Sequence, residues 1–191
     1  MFIDTSFLPK PIEGHMQIQP EILDMWKAVK NLTNFQTMME IGFNVGHSST
    51  IVLTMFPDVS ITSYDIGRDE RTLLGAKLVE EKFPFRHRFF KYNTIDLREE
   101  FKTGEAAISK QDLIFIDGGH TFEVAQSDIM MAKELGIENI LVDDTNMPDV
   151  QRAIESVDFL TKVIDFNYVY KKGKKKRNEV SSTLYKLKLV S

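Results

Sequence analysis

Four short clusters in this chain place residues able to do chemistry at close spacing. Glu40-Ile-Gly42-Phe-Asn-Val-Gly46-His47-Ser48 sets two glycines four positions apart behind a carboxylate. Asp65 stands 25 residues after Glu40. Asp117-Gly118-Gly119-His120 puts a carboxylate and an imidazole around two glycines, and Asp143-Asp144 is a pair of carboxylates. Glycines so spaced let the backbone turn tightly and come close to a ligand. A helix that starts near Gly46 offers unpaired N–H groups and a positive dipole end, which suit a carboxylate or phosphate. An acidic residue at Asp65, if it ends the next strand, can accept both hydroxyls of a ribose. Three carboxylates brought together repel unless neutralised, and a hard divalent cation such as Mg²⁺ is the natural partner. A histidine on a flexible loop beside them can act as a general base near neutral pH.

These clusters need a scaffold, and the pattern between them supplies one. Strands are expected at 37–42, 59–65, 87–92, 112–117 and 138–143, alternating with helices at 46–56, 68–82, 121–135 and 149–160. A weakly helical polar stretch follows the third strand, and a helix at 21–32, led by Pro20, precedes the first. Asp-Leu-Ile-Phe-Ile-Asp at 112–117 is apolar along nearly its whole length, the mark of a strand buried on both faces. Alternation of this kind implies a parallel sheet with right-handed crossovers. The expected strands at 163–170 and 182–189 have no helix between them and should form an antiparallel hairpin at one edge. Open α/β sheets bind ligands beyond the carboxyl ends of their strands. Gly42, Asp65, Asp117, Asp143 and Asp144 all leave strands at that end.

Composition narrows the classes. Of 191 residues, 42% are apolar and 27% charged, an ordinary globular balance with a mild net charge of −4. With no cysteine, disulfides, thiolate zinc sites and a cysteine nucleophile are excluded. No apolar run is long enough to span a bilayer, and the start lacks a secretory pattern, so a cytoplasmic protein with no membrane partner is expected. One domain is expected over 1–191: a lead-in with its helix at 1–36, an alternating core at 37–160 and a hairpin at 161–191. The spacing Gly-x-x-x-Gly is not the dinucleotide fingerprint, which disfavours a nicotinamide dehydrogenase.

The segments EIGFNVGHSS, SYDIG, DLIFIDGGHTFE and ILVDDT, in this order, resemble class I S-adenosylmethionine-dependent methyltransferases. The resemblance is to the methyltransferase 24 family, related to macrocin-type O-methyltransferases, and runs from about Glu13 to Ala153. It implies a Rossmann-like doubly wound sheet, mostly parallel with a C-terminal antiparallel hairpin. It implies S-adenosylmethionine as cofactor, with Glu40, Gly42 and Gly46 along its methionine part and His47 and Ser48 near its carboxylate. Asp65 would hold the ribose, and Asp117 would also contact the cofactor. Tyr92-Asn93-Thr94 stands where relatives have Gly-Asp-Ser, so Asn93 would face the adenine in place of an aspartate. The pair Glu13-Gly14, with His15 beside it, would belong to an N-terminal lid. The implied reaction is O-methylation of a small hydroxylated acceptor such as a sugar, with His120 and Asp117 in catalysis and Mg²⁺ on Asp117, Asp143 and Asp144.

Each sharper assignment has a plainer rival. Asp117 serves the cofactor alone if Asp144 or Thr145 merely caps the next helix. His120 holds its loop if it is not a base. His87, between two arginines, reads as a surface residue. The run Lys171-Lys172-Gly173-Lys174-Lys175-Lys176-Arg177 either grips polyanions or is a solvated hairpin tip that protects an edge strand. Nucleic acid as acceptor is disfavoured, since the Asn/Asp-Pro-Pro-aromatic signature of amino-group DNA methyltransferases is absent, though the basic 171–177 loop leaves it open. A homo-oligomer stays open, and the second class of function is a methyltransferase fold that only binds.

Overall fold

The computed structural model describes residues 3–12, 18–172 and 176–188. Its centre is a seven-stranded sheet: β1 (Thr37–Ile41), β2 (Ser60–Asp65), β3 (His87–Lys91), β4 (Leu113–Ile116), β5 (Asn139–Val142), β6 (Leu160–Lys172) and β7 (Lys176–Leu187). The strand order is β3-β2-β1-β4-β5-β7-β6. The first five run parallel, while β7 lies antiparallel to both β5 and β6. The expected mostly parallel sheet closed by an antiparallel pair is therefore what the chain forms.

Among the described residues six helices cover the sheet: α1 (Pro20–Thr33), α2 (His47–Met55), α3 (Glu70–Lys82), α4 (Thr94–Thr103), α5 (Phe122–Glu134) and α6 (Pro148–Glu155). Alternate residues of each central strand point to two separate cores. Met38, Leu113, Phe115 and Leu141 face the core containing α1 and α2, and Met39, Ile114, Ile116, Ile140 and Val142 face the one containing α5 and α6. That two-sided burial is why β4 is apolar throughout and β5 is apolar after Asn139. In the first core Trp26 of α1 is fully buried, its ring edge-on to Phe115 at 5.2 Å between centroids.

Boundaries moved where capping or tertiary pairing decided them. Asp69 caps α3, its side chain accepting from the Arg71 N–H, so the helix begins at Glu70 rather than Arg68. The polar stretch after β3 is a full helix, α4, held by the Asn93 side chain at one end and a left-handed Gly104 at the other. Only Thr94 and Leu97 of it are buried, which is why its periodicity is faint. Helix α6 stops at Glu155, because Leu160 is drawn into β6 opposite Leu187. The hairpin strands are longer than expected. The proposed lid residues Glu13, Gly14 and His15, and Gly173, Lys174 and Lys175 of the basic run, lie outside the described residues. Among the described residues no helix is long and apolar enough to cross a membrane.

Candidate functional site

Strand order reverses direction between β1 and β4, with β2 and β3 on one side and β5 on the other. A crevice at that switch point is where open sheets of this kind hold ligands. A cavity of about 760 Å³ lies there, of a size suited to a cofactor together with a small partner. Gly42, His47, Ser48, Asp65, Asn93, Asp117, His120, Asp143 and Asp144 are all on its wall.

The backbone after β1 is shaped by two glycines in the left-handed region, Gly42 with φ +90° and Gly46 with φ +91°. A Cβ on Gly42 would lie 1.8 Å from the Asp117 carbonyl oxygen, so only glycine lets the β1 loop pass against the exit of β4. This contact brings the glycine turn and the acidic cluster into one cavity. Asp65 then fixes the turn from β2. Its Oδ2 accepts from the Phe43 and Asn44 N–H groups at 3.0 and 2.9 Å, and its Oδ1 from Gly67 N–H at 2.7 Å. Helix α2 starts at His47, directly after Gly46, so its first N–H groups open toward the same turn. On the far side Ile12 and Gln19, which flank the undescribed segment, also line the cavity, and the Ile12 N–H donates to Asn44 Oδ1 at 3.2 Å.

Two expected cofactor contacts do not reach the wall. Glu40 is wholly buried, and Gly46 packs a step behind the surface against Phe43 and Val79. Glu40 is the next-to-last residue of β1 and points into the protein, where the hydroxyls of Ser48, Ser49 and Ser63 all donate to it. Burial raises its pKa, opposed by those three hydrogen bonds. Ser48, expected near a cofactor carboxylate, gives its hydroxyl to Glu40 although the residue borders the cavity. His87 corrects another expectation: it is 4% exposed, stacked on Phe43, with Nε2 3.0 Å from Ser63 Oγ. Burial holds its pKa down to about 4, so it is a neutral core group. Asn93 lines the cavity, and its carbonyl oxygen also caps α4 through the Ile95 N–H at 3.2 Å.

At the other end the three carboxylates divide. Asp117, His120 and Asp144 each present a donor atom within 4.8 Å of the other two. His120 Nε2 lies 2.9 Å from Asp144 Oδ2. Asp143 is not in this cluster, because Tyr168 donates to its Oδ1 at 3.1 Å and Ser182 donates to the same oxygen. The chain turns through a left-handed Asp144, φ +53°, which separates the two neighbouring side chains. Neither Asp144 nor Thr145 caps α6; its cap residue is Met147, and Thr145 binds Ser181 of β7 instead. Burial and the charges of Asp143 and Asp144 raise the pKa of Asp117 well above the carboxylate range. Asp143 is raised to about 6, by burial first and Asp144 second.

Three contributors were missed in the sequence. Tyr168 and Val180 of the hairpin form part of the cavity wall. Asp128 of α5 is wholly buried, its Oδ2 3.3 Å from where a Cβ of Gly118 would stand, and burial pushes its pKa up to about 7. A carboxylate at a core-facing helix position is itself a signal, because buried charge needs a reason.

No family model matches the chain, and no curated protein matches it. Solved structures do. An O-methyltransferase from Bacillus cereus, in complex with S-adenosylhomocysteine, is 14% identical, with a TM-score of 0.67 over 89% of this chain and 83% of that one. The chain has the class I methyltransferase fold. The O-methyltransferase TomG from Streptomyces achromogenes, in complex with S-adenosylmethionine, is 14% identical over 90% of this chain and 81% of that one, with a TM-score of 0.62. The N-methyltransferase NodS from Bradyrhizobium japonicum, in complex with S-adenosylhomocysteine, is 11% identical over 90% of this chain and 89% of that one, with a TM-score of 0.60. Neighbours that methylate oxygen and nitrogen share this fold, so the fold leaves the acceptor atom open.

Proposed function

We propose that the chain is an S-adenosylmethionine-dependent methyltransferase acting on a hydroxyl of a small acceptor such as a sugar, as its motifs' resemblance to the methyltransferase 24 family suggests. The observation that carries this reading is the single cavity that joins the Gly42 turn, Asp65 and the Asp117–His120–Asp144 cluster. When bound, the cofactor supplies an electrophilic methyl group on sulfur. The turn and the start of α2 would receive its amino-acid end, Asp65 the ribose and Asn93 the adenine amino group. Asp65 already accepts three backbone N–H groups, so holding a ribose shares its remaining lone-pair capacity with the turn. Loading the site is therefore coupled to the order of the 42–46 loop.

Asp144 would orient the His120 ring through their 2.9 Å contact, and the imidazole would take the proton of an acceptor hydroxyl. In-line positioning of that oxygen supplies the larger part of the catalysis. Asp117, His120 and Asp144 also fit a divalent cation. The two carboxylates suit Mg²⁺, and the imidazole extends the choice to Mn²⁺. A cation there would contribute Lewis acidity and hold a hydroxyl pair.

Thermal melts of the full chain test both parts. S-adenosylhomocysteine alone should raise the melting temperature, since a ligand that binds only the folded state stabilises it. Mg²⁺ or Mn²⁺ should add a further rise that a chelator reverses. No rise with S-adenosylhomocysteine removes the methyltransferase reading, and no rise with either cation leaves His120 and Asp144 as a metal-free base pair.

A further inference from the structure

Helix α5 backs the loop that leaves β4. Val124 and Asp128 are four residues apart and share one face of this helix. A Cβ on Gly119 would stand 3.0 Å from Val124 Cγ1, and one on Gly118 would stand 3.3 Å from Asp128 Oδ2. The two glycines thus let the loop rest on that face, with Gly118 against the Asp128 carboxyl. From α4 the Thr94 hydroxyl approaches the same carboxyl and opposes the effect of burial on it. Asn93, Thr94, Gly118, Gly119 and His120 all line the cavity. Asp128, wholly buried, therefore stands just behind the wall, between the segment assigned to the adenine and the loop that carries His120.

Packing alone does not explain a carboxyl in this place. Its neighbours along α5, Ala125, Ile129, Met131 and Ala132, are apolar and buried, and another apolar side chain would avoid the cost of a buried polar group. Neither oxygen of Asp128 makes a well-formed hydrogen bond among the described residues. The charged groups on the surrounding elements are engaged elsewhere: Arg98 of α4 pairs with Glu134 of α5 at 2.6 Å, and His120 meets Asp144 at 2.9 Å. Burial, against the Thr94 hydroxyl, raises the pKa of Asp128 to about 7, with no contribution from these groups or from Asp117. With its proton the carboxyl fits between Gly118 and Thr94. Without it, a charge faced by one hydroxyl must draw water into the seam between α4, α5 and the loop.

We propose that Asp128 is a positioning residue for the cofactor, one that sets from behind the wall the spacing between the Asn93–Thr94 segment and the Gly118–Gly119 loop. The word cofactor rests on the methyltransferase reading; the hold on the two segments does not. A cofactor lying across both segments fixes their spacing around the neutral carboxyl, so the loaded protein keeps that proton more tightly than the empty one. Affinity is then complete below about pH 7 and falls as pH rises, by up to about tenfold per unit, the limit for one linked proton.

Calorimetric titration of S-adenosylhomocysteine from about pH 6 to about pH 9 tests this, with a chelator present so that no cation titrates with the acidic cluster. Wild type should weaken at least about fivefold across the range, and Asp128→Asn should vary by less than about twofold. The titrations of the ligand, His120 and Asp143 are common to both proteins and cancel in the comparison. Thr94→Val removes the hydroxyl that holds the pKa down, and should move the onset of weakening to higher pH. Amide exchange of the ligand-free chains at about pH 8.5, corrected for intrinsic rates, supplies a second readout. Residues 93–97 and 117–121 should exchange faster in wild type than in Asp128→Asn. The same pH profile in both proteins, or equal exchange in those segments, overturns the proposal. If Asp128→Asn does not fold, an unmoved onset in Thr94→Val overturns it instead. No S-adenosylhomocysteine binding at any pH, with the exchange difference kept, removes the methyltransferase reading and leaves the hold of Asp128 on the wall.

Discussion

The two ends of the cavity handle buried negative charge in opposite ways. Behind the glycine turn, Glu40 is as buried as any group in the protein, but three serine hydroxyls donate to it and oppose the rise in its pKa. At the acidic end the leading influences on Asp117 all raise its pKa: burial, then Asp143, Asp144, Glu40 and Asp65. The first end is finished by the protein itself. The second is left with charge that a proton, a cation or a protonated histidine has to balance. One end is thus a buried carboxylate matched by hydroxyl donors, and the other keeps a buried carboxylate beside neighbours of the same sign.

The largest expected effect would break the frame. Glu40→Ala leaves Ser48, Ser49 and Ser63 without their shared acceptor in the core, and should cost about 3 to 5 kcal/mol, read as a lowered denaturant midpoint. If Glu40→Ala costs less than about 1 kcal/mol, the contrast between the two ends fails.

Next in size is Asp128, behind Gly118. Its folded pKa of about 7 exceeds the unfolded value of about 3.9. The folded state therefore holds the proton over a range where the unfolded chain has lost it. Its contribution to stability is whole below about pH 4 and falls as pH rises to about 7, by a few kcal/mol in total. Asp128→Asn, which mimics the protonated form, should flatten that part of the stability profile and raise stability at pH 8. An unchanged profile would show that Asp128 is paired and ionised in the fold.

Much of this was legible in the sequence, for definite reasons. Apolar runs at 113–116 and 140–142, set between helical patterns, read as central strands, and their exits placed Asp117, Asp143 and Asp144 at one end. Which of those carboxylates would cluster was not legible. It depends on a left-handed turn at Asp144 and on Tyr168 and Ser182, which approach Asp143 from a hairpin remote in sequence. His87 misled because its arginine neighbours suggest a surface, whereas on a strand the odd member of such a triplet faces the opposite side. Glu40 misled similarly. It sits beside the glycine turn in sequence, but pleating turns it inward to the serines.

The acidic end has a smaller but more specific test. Asp144→Ala should abolish any melting-temperature rise given by Mg²⁺ or Mn²⁺ while leaving binding of S-adenosylhomocysteine within about threefold, less than one charged hydrogen bond contributes. A cation rise that persists in Asp144→Ala would move the cation site elsewhere.

The most direct measurement is calorimetric titration of S-adenosylhomocysteine into wild type, Asp65→Ala and Asp144→Ala. Wild type should bind at one site per chain, Asp144→Ala should bind comparably, and Asp65→Ala should bind about tenfold or more weakly, the loss expected for a charged acceptor worth about 1.5 to 3 kcal/mol. Absence of binding by folded wild type, or equal affinity in wild type and Asp65→Ala, would contradict the assignment of this cavity to the cofactor.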